Sequence, residues 1–133
     1  MRKAVTTALN FVTALLMSLL AQALMHWIAE TLLSDADMGL ASWEIVFSAI
    51  TVIPAQMLGG YIAKANFVLP AILLEACILI SVFATLENVA GIDGYGMSEA
   101  ISNKYGVITS LLGAGIGAFA GQRLAAVVIA RSA

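Results

Sequence analysis

The sequence predicts an all-α integral membrane protein, a four-helix bundle whose two termini both lie on the cytoplasmic side. Three observations predict this class. The chain of 133 residues is 62% hydrophobic and only 11% charged, whereas a soluble domain carries roughly 25% charged residues. Four apolar stretches reach the length of about 18 residues that a membrane-crossing helix needs. Basic residues also concentrate beside alternate stretches, as they do in cytoplasmic segments.

Each predicted span is an apolar stretch bounded by polar segments. We expect helices over residues 5–33, 43–63, 67–89 and 105–129 of a single membrane domain, 1–133. Within the longest connection, Ser98 has the side chain of an N-cap, so we also expect a short helix from there to Asn103. Because nearly the whole chain lies in these spans, there is no room for a soluble catalytic domain.

The distribution of Lys and Arg predicts the orientation. If the chain crosses the membrane four times, five of its six basic residues fall on one side. These five are Arg2, Lys3, Lys64, Arg123 and Arg131. The positive-inside rule assigns that side to the cytoplasm, which indicates the inner membrane of a bacterium with both termini inside.

The chain also divides into two weakly similar halves near Ala65. Each half contains a helix, an acidic connection and a second helix that bears glycine and ends in a base. A duplication would give parallel repeats about an axis along the membrane normal. Any four-helix chain with this orientation looks partly alike, so duplication and chance similarity both remain open.

The fourth span carries the clearest packing pattern. Small residues recur along one face at Gly106, Ser110, Gly113, Gly117 and Gly121. Such spacing lets the backbones of two membrane helices approach closely. The partner is either the second span, where Gly59 belongs to a similar but poorer face, or the fourth span of another copy.

The first span contains two polar groupings instead of one stripe. One grouping, near the expected cytoplasmic side, contains Thr6, Asn10 and Thr13, and the other contains Ser18, Gln22 and His26. Amides and hydroxyls inside lipid usually mark hydrogen bonds between helices. The alternative is that one of the two groupings lines a polar conduit.

Glu75 lies deep inside the third span and is the leading functional candidate. An ionisable group in hydrocarbon is rare unless it has a partner or a task. Arg123 is the expected partner, because it approaches the same side of the membrane and its long side chain can reach inward. Three roles stay open: a structural hydrogen-bonding group, a site that couples protons or cations, and a contact to a larger complex or a lipid headgroup.

The sequence offers no constellation for catalysis. It has one cysteine and one histidine, so we expect no enzyme, no metal site and no cofactor. Six scattered basic residues form no patch for nucleic acid. The leading hypothesis is an accessory or structural subunit that works through helix packing, with the lipid bilayer and either itself or other membrane subunits as partners. The alternative is a minimal transporter or pore, coupled to protons or cations through Glu75.

Overall fold

The computed structural model describes residues 2–35 and 39–132, with side chains from Thr6 onward, and all regular secondary structure in these residues is α-helical. The elements are α1 (Arg2–Leu33), α2 (Leu40–Ala63), α3 (Val68–Ala90), α4 (Tyr95–Ser102) and α5 (Lys104–Ser132). By length and composition, α1, α2, α3 and α5 could each cross a membrane. The prediction of four long apolar helices is therefore confirmed, and their bundle packing agrees with the predicted class.

The short helix α4 exists, but it begins three residues earlier than the sequence suggested. Gly94 precedes it with a left-handed backbone, φ 80°, which glycine adopts without steric cost. The chain thereby turns after α3 and enters the helix directly at Tyr95. Ser98 lies inside this helix, where its N–H donates to the carbonyl of Gly94 at 3.0 Å, so its expected role as N-cap is wrong.

The four long helices form a central pair with one helix on each flank. Helices α2 and α5 pack along much of their length, while α1 packs on α2 and α3 packs on α5. The backbones of the two flanking helices hardly approach each other, and their side chains meet across the interior of the bundle. Two related hairpins would give this arrangement, although duplication itself stays a prediction.

The small-residue face of α5 lies against α2 of the same chain. A Cβ atom added at Gly117 would meet the carbonyl oxygen of Ile53, and one added at Gly121 would meet that of Met57. Gly106 and Ser110 are buried on the same face. Of the two partners that the sequence left open, the described structure therefore contains the contact with α2.

Gly59 packs on a different helix from the one expected. An added Cβ there would meet the hydroxyl of Ser18 on α1 and the ring of Phe67. Its neighbour Gly60 faces α5 instead and lies against the backbone of Ala118. Because successive helical residues point about 100° apart, adjacent glycines serve two different interfaces.

An apolar cluster fills the end of the bundle at which the basic residues Lys64 and Arg123 lie; we call this the basic end. The cluster consists of fully buried Phe67 with Ala14, Ala71 and Ala118, and we call it the apolar plug. Phe11 also meets the Phe67 ring edge to face, with centroids 5.6 Å apart. None of these four plug residues lines either of the two cavities described below.

Gln122 of α5 fixes the connection that leads into the plug. With its amide oxygen turned toward the connection, it accepts N–H groups from Asn66, at 2.8 Å, and from Phe67. These are backbone donors at the start of α3, which its own helix cannot satisfy. The side chain of one helix therefore caps another and holds Phe67 in place.

Candidate functional site

A cluster of polar side chains crosses the interior of the bundle, with one member from each long helix. Gln22 Nε2 donates to Glu75 Oε2 at 2.9 Å, and the Ser110 hydroxyl lies close enough to the Glu75 carboxylate to stabilise its charge. Gln56 Nε2 donates to Gln22 Oε1 at 3.4 Å. We call these four residues the polar cluster. Glu75, only 1% exposed, is its centre.

The position of this cluster follows from four-residue steps along two helices. On α3, Ala71 of the plug and Glu75 are the two fully buried residues, and they lie one turn apart on one face. On α1, buried Ala14 and Ser18 precede Gln22 at the same interval. The polar cluster therefore sits directly above the apolar plug, on the side away from the basic end.

Two buried polar atoms of this region have no hydrogen-bond partner among the described residues. They are Ser18 Oγ and Gln56 Oε1, and both residues are 0% exposed. An unpaired buried acceptor costs free energy that a bound donor would recover. The hydrogen bonds of the polar cluster therefore leave part of the polar capacity beside it unused.

A cavity of about 260 Å³ joins the polar cluster to the opposite end of the bundle. Glu75, Gln22 and Ser110 line its deep part, and Glu99 and Asn103 line its outer part. We call it the inner cavity. Its existence means that Glu75 is buried from bulk solvent yet faces an internal space.

The inner cavity adjoins a larger one of about 460 Å³ at the acidic end, which we call the acidic vestibule. The residues that line both are His26, Phe47, Ser48, Glu99 and Asn103. The two cavities therefore adjoin along these walls. We call the two adjoining cavities the passage, and Glu75 lines the part of it that lies farther from the acidic end.

The vestibule carries negative charge. Glu30, Glu44 and Glu99 line it, and no Lys or Arg is among its described lining residues. His26 Nε2 lies 3.2 Å from Glu30 Oε1 on the exposed rim. The Glu99 carboxylate accepts the Tyr95 hydroxyl, and this bond, together with the carboxylate charge, raises the pKa of the Tyr95 phenol above its ordinary value. Such a wall attracts cations and repels anions.

Glu44 is the most deeply placed of these carboxylates. It is 8% exposed, and its Oε2 has no hydrogen-bond partner in the part of the chain that the structure describes. Among those residues no group of three His, Cys, Asp or Glu side chains has the geometry to hold a metal ion. The vestibule therefore offers single carboxylates and not a coordination cage.

The expected pairing of Arg123 with Glu75 is wrong. The Arg123 guanidinium lies over the Phe119 ring, 5.0 Å from its centroid, on the exposed surface. Ser110, which does contact Glu75, is thirteen residues earlier on α5, so Arg123 lies roughly 20 Å farther along the helix axis. The partners of the buried carboxyl are instead an amide and a hydroxyl.

The structure places the two polar groupings of α1 in different surroundings. Gln22 joins the polar cluster, Ser18 lies beneath it, and His26 reaches both cavities. Thr13 is exposed and Asn10 is half-buried, and neither lines the passage to Glu75. Only the grouping nearer the acidic end therefore belongs to the site.

Sequence reasoning missed Gln56 and Glu44. The sequence does indicate Gln56, because an amide side chain inside an apolar span usually hydrogen-bonds to a residue of another helix. Glu44 lies in the first turns of α2, where a carboxylate is commonplace, and nothing in the sequence marks it as buried. No family model, no curated protein and no solved structure matches the chain, so its function has to be argued from this geometry.

Proposed function

We propose that this chain is a minimal inner-membrane transporter, with both termini cytoplasmic, in which Glu75 carries a proton or a small cation. One observation carries the proposal. A buried carboxyl lines an internal cavity that adjoins an acidic vestibule, while the apolar plug fills the other end of the bundle. Buried ionisable groups of this kind mark ion and proton pathways in membrane proteins.

The partners of Glu75 suit a group that changes its charge. A carboxylate accepts hydrogen bonds from the Gln22 amide and the Ser110 hydroxyl. When protonated, the carboxyl keeps acceptor capacity, and its own O–H can donate to the serine oxygen. Neither partner carries a charge, whereas a guanidinium would hold the group permanently as a carboxylate. Glu75 can therefore exchange a proton for a cation without losing its position.

Access from one end supports a carrier over an open pore. A continuous pore needs openings at both ends, and the plug around Phe67 fills the basic end. A carrier exposes its site to one side at a time, through movement of one part of a bundle against another. The close backbone contacts of α2 with α5 favour a rigid central pair, so we propose that α1 and α3 move to expose the site.

The accessory-subunit hypothesis remains a prediction. A role in a larger complex would need a surface that selects other subunits, and the apolar residues exposed along α1 and α3 suit contact with lipid equally well. Purification in mild detergent tests it. Stable association with other membrane proteins would favour that role over an independent carrier.

Exchange across vesicles tests the proposed function. The full chain is reconstituted into lipid vesicles, and internal pH is followed after addition of Na⁺, K⁺ or phenethylammonium outside. We expect at least one of these cations to drive protons out of vesicles that contain the parent chain, and Glu75→Gln to abolish the exchange while keeping its hydrogen bonds. Glu87→Gln, which changes a carboxylate of α3 outside both cavities, is the matched control and should retain the flux.

The proposal is contradicted if Glu75→Gln exchanges protons as fast as the parent. It is also contradicted if none of the three cations moves protons through the parent chain.

A further inference from the structure

We propose that the acidic vestibule is a binding site for an organic cation that carries N–H donors, such as a primary ammonium or a guanidinium group. The site is distinct from Glu75 and lies at the entrance to its passage. Its recognition elements are the buried Glu44 carboxylate and the aromatic pair of Trp43 and Phe47 on α2.

Glu44 Oε2 is a buried acceptor that a ligand with a hydrogen-bond donor would satisfy. Its side chain is more than nine-tenths buried and lines the vestibule, yet Oε2 has no partner among the described residues. A buried charge without a partner is costly. A ligand with N–H groups would satisfy the oxygen and neutralise the charge at once. A quaternary ammonium could supply only the charge, so N–H donors are the more specific match.

The aromatic pair supplies a surface for the cation and its apolar body. The rings of Trp43 and Phe47 stack with centroids 5.4 Å apart and an interplanar angle of 29°. His26 meets Phe47 edge to face at 4.9 Å, which fixes the ring from the α1 side. Aromatic faces attract ammonium and guanidinium groups through their quadrupole. Because all three residues line the vestibule, these rings and the Glu44 carboxylate bound the same space.

The size of the vestibule favours an organic cation over a bare metal ion as its ligand. Its volume of about 460 Å³ lies in the range of cavities that hold small organic ligands. A bare metal ion would need several ligands converging on one point, and no such group of three exists in the described part of the chain. The vestibule thus fits a small organic amine better than an inorganic ion.

Binding in the vestibule does not depend on Glu75. The inference rests on the proposed function only for the fate of the ligand, because Glu99 and Asn103 line both cavities and a bound cation could move on toward the carboxyl. Affinity and coupled flux are therefore separate measurements.

Equilibrium dialysis of radiolabelled phenethylammonium against the full chain in lipid nanodiscs tests the proposal. We expect saturable binding to the parent, and we expect Glu44→Gln to weaken it about tenfold or more, because the charge-assisted hydrogen bond is lost. Asp93→Asn removes an exposed carboxylate from the connection before α4, so this matched control should bind within about twofold of the parent. Thermal melting of each variant reports that the chain is folded.

Two competitors and one second variant complete the test. Unlabelled tetraethylammonium, which lacks N–H donors, and 2-phenylethanol, which lacks the charge, should each compete at least about tenfold more weakly than phenethylammonium. Phe47→Leu should weaken binding without removing any charge.

Absence of saturable binding to the parent would overturn the proposal. Equal affinity of the Glu44→Gln variant, or equal competition by the neutral alcohol, would do the same. Glu75→Gln separates the two proposals. Retained binding together with retained proton exchange in this variant would refute the proposed function and leave the vestibule site standing. Absence of binding to the parent chain, together with proton exchange that Glu75→Gln abolishes, would refute the vestibule site and leave the proposed function standing.

Discussion

Gly121 lies where the backbone of α5 touches the backbone of α2, and a single added methyl group tests how rigid that contact is. In Gly121→Ala the new Cβ would meet the carbonyl oxygen of Met57 and would lie 2.7 Å from the backbone nitrogen of Tyr61. Ordinary contact begins at about 3.4 Å, so the facing helix would have to retreat by about 0.7 Å or more. Backbone atoms cannot rotate away as side chains do.

The expected cost is about 1–3 kcal/mol in the free energy of unfolding, the usual range for overpacking. Gly115→Ala is the matched control on the same helix. Its Cβ would meet the terminal Cδ1 of Ile72 at 3.2 Å, which is the end of a flexible side chain, and alanine also has the higher helix propensity. We expect this control to lie within about 1 kcal/mol of the parent.

Unfolding in mixed micelles with increasing sodium dodecyl sulfate, followed by circular dichroism, measures both variants. A Gly121→Ala variant as stable as Gly115→Ala would refute the close backbone contact between α2 and α5. It would also remove the rigid central pair from the transport proposal.

Three further predictions concern polar groups. Glu75→Leu leaves two buried donors without their acceptor, and each interhelical hydrogen bond contributes about 0.6–1.7 kcal/mol. The substitution should therefore lower the free energy of unfolding by about 1–3 kcal/mol, whereas Glu75→Gln should stay within about 1 kcal/mol of the parent. Equal stability of the two variants would contradict the hydrogen-bonded cluster. Ser18→Ala removes a buried hydroxyl whose oxygen has no partner among the described residues, so it should be neutral or stabilising by up to about 1 kcal/mol, and a clear loss in the same unfolding assay would show that the hydroxyl is satisfied. Glu99→Gln should lower the pKa of Tyr95 toward its ordinary value, because the neutral amide no longer disfavours the charged phenolate. Ultraviolet absorbance titration at alkaline pH, with Tyr95→Phe to isolate this phenol, measures that shift, and an unchanged pKa would contradict the contact.

Much of the helical architecture could be predicted from local composition. Long apolar runs specify long helices whatever their neighbours, and the four-residue recurrence of Gly113, Gly117 and Gly121 marks a close interface. The sequence did not indicate that adjacent Gly59 and Gly60 face different helices, because helix rotation relative to a neighbour depends on packing. The start of α4 was misplaced for a similar reason, since the left-handed Gly94 made an N-cap side chain unnecessary.

Among the site residues described above, the central Glu75 could be predicted from the sequence, but its hydrogen-bonding partners and Glu44 could not. An isolated carboxylate in an apolar run identified Glu75, since its desolvation cost is visible in the sequence itself. The partners of Glu75 could not be predicted, because three helices contribute them from distant positions in the sequence. Arg123 was a misleading candidate, because the orientation of the spans places it on the same side of the membrane as Glu75. The burial of Glu44 depends on how α1, α2 and α4 meet at the acidic end, and no local pattern encodes that.

Chemical labelling of the inner cavity measures whether the site of Glu75 is reached from the acidic end and sealed from the basic end, as the proposed function requires. In a Cys77→Ala background, Ser110→Cys places a thiol in the inner cavity, and Ala14→Cys places the matched control in the apolar plug. A membrane-impermeant cationic thiol reagent is applied to spheroplasts and to inverted vesicles. We expect modification of position 110 in spheroplasts only, with position 14 protected in both preparations. Equal labelling of the two thiols, or no labelling of position 110 from either face, would show that access from the acidic end is wrong.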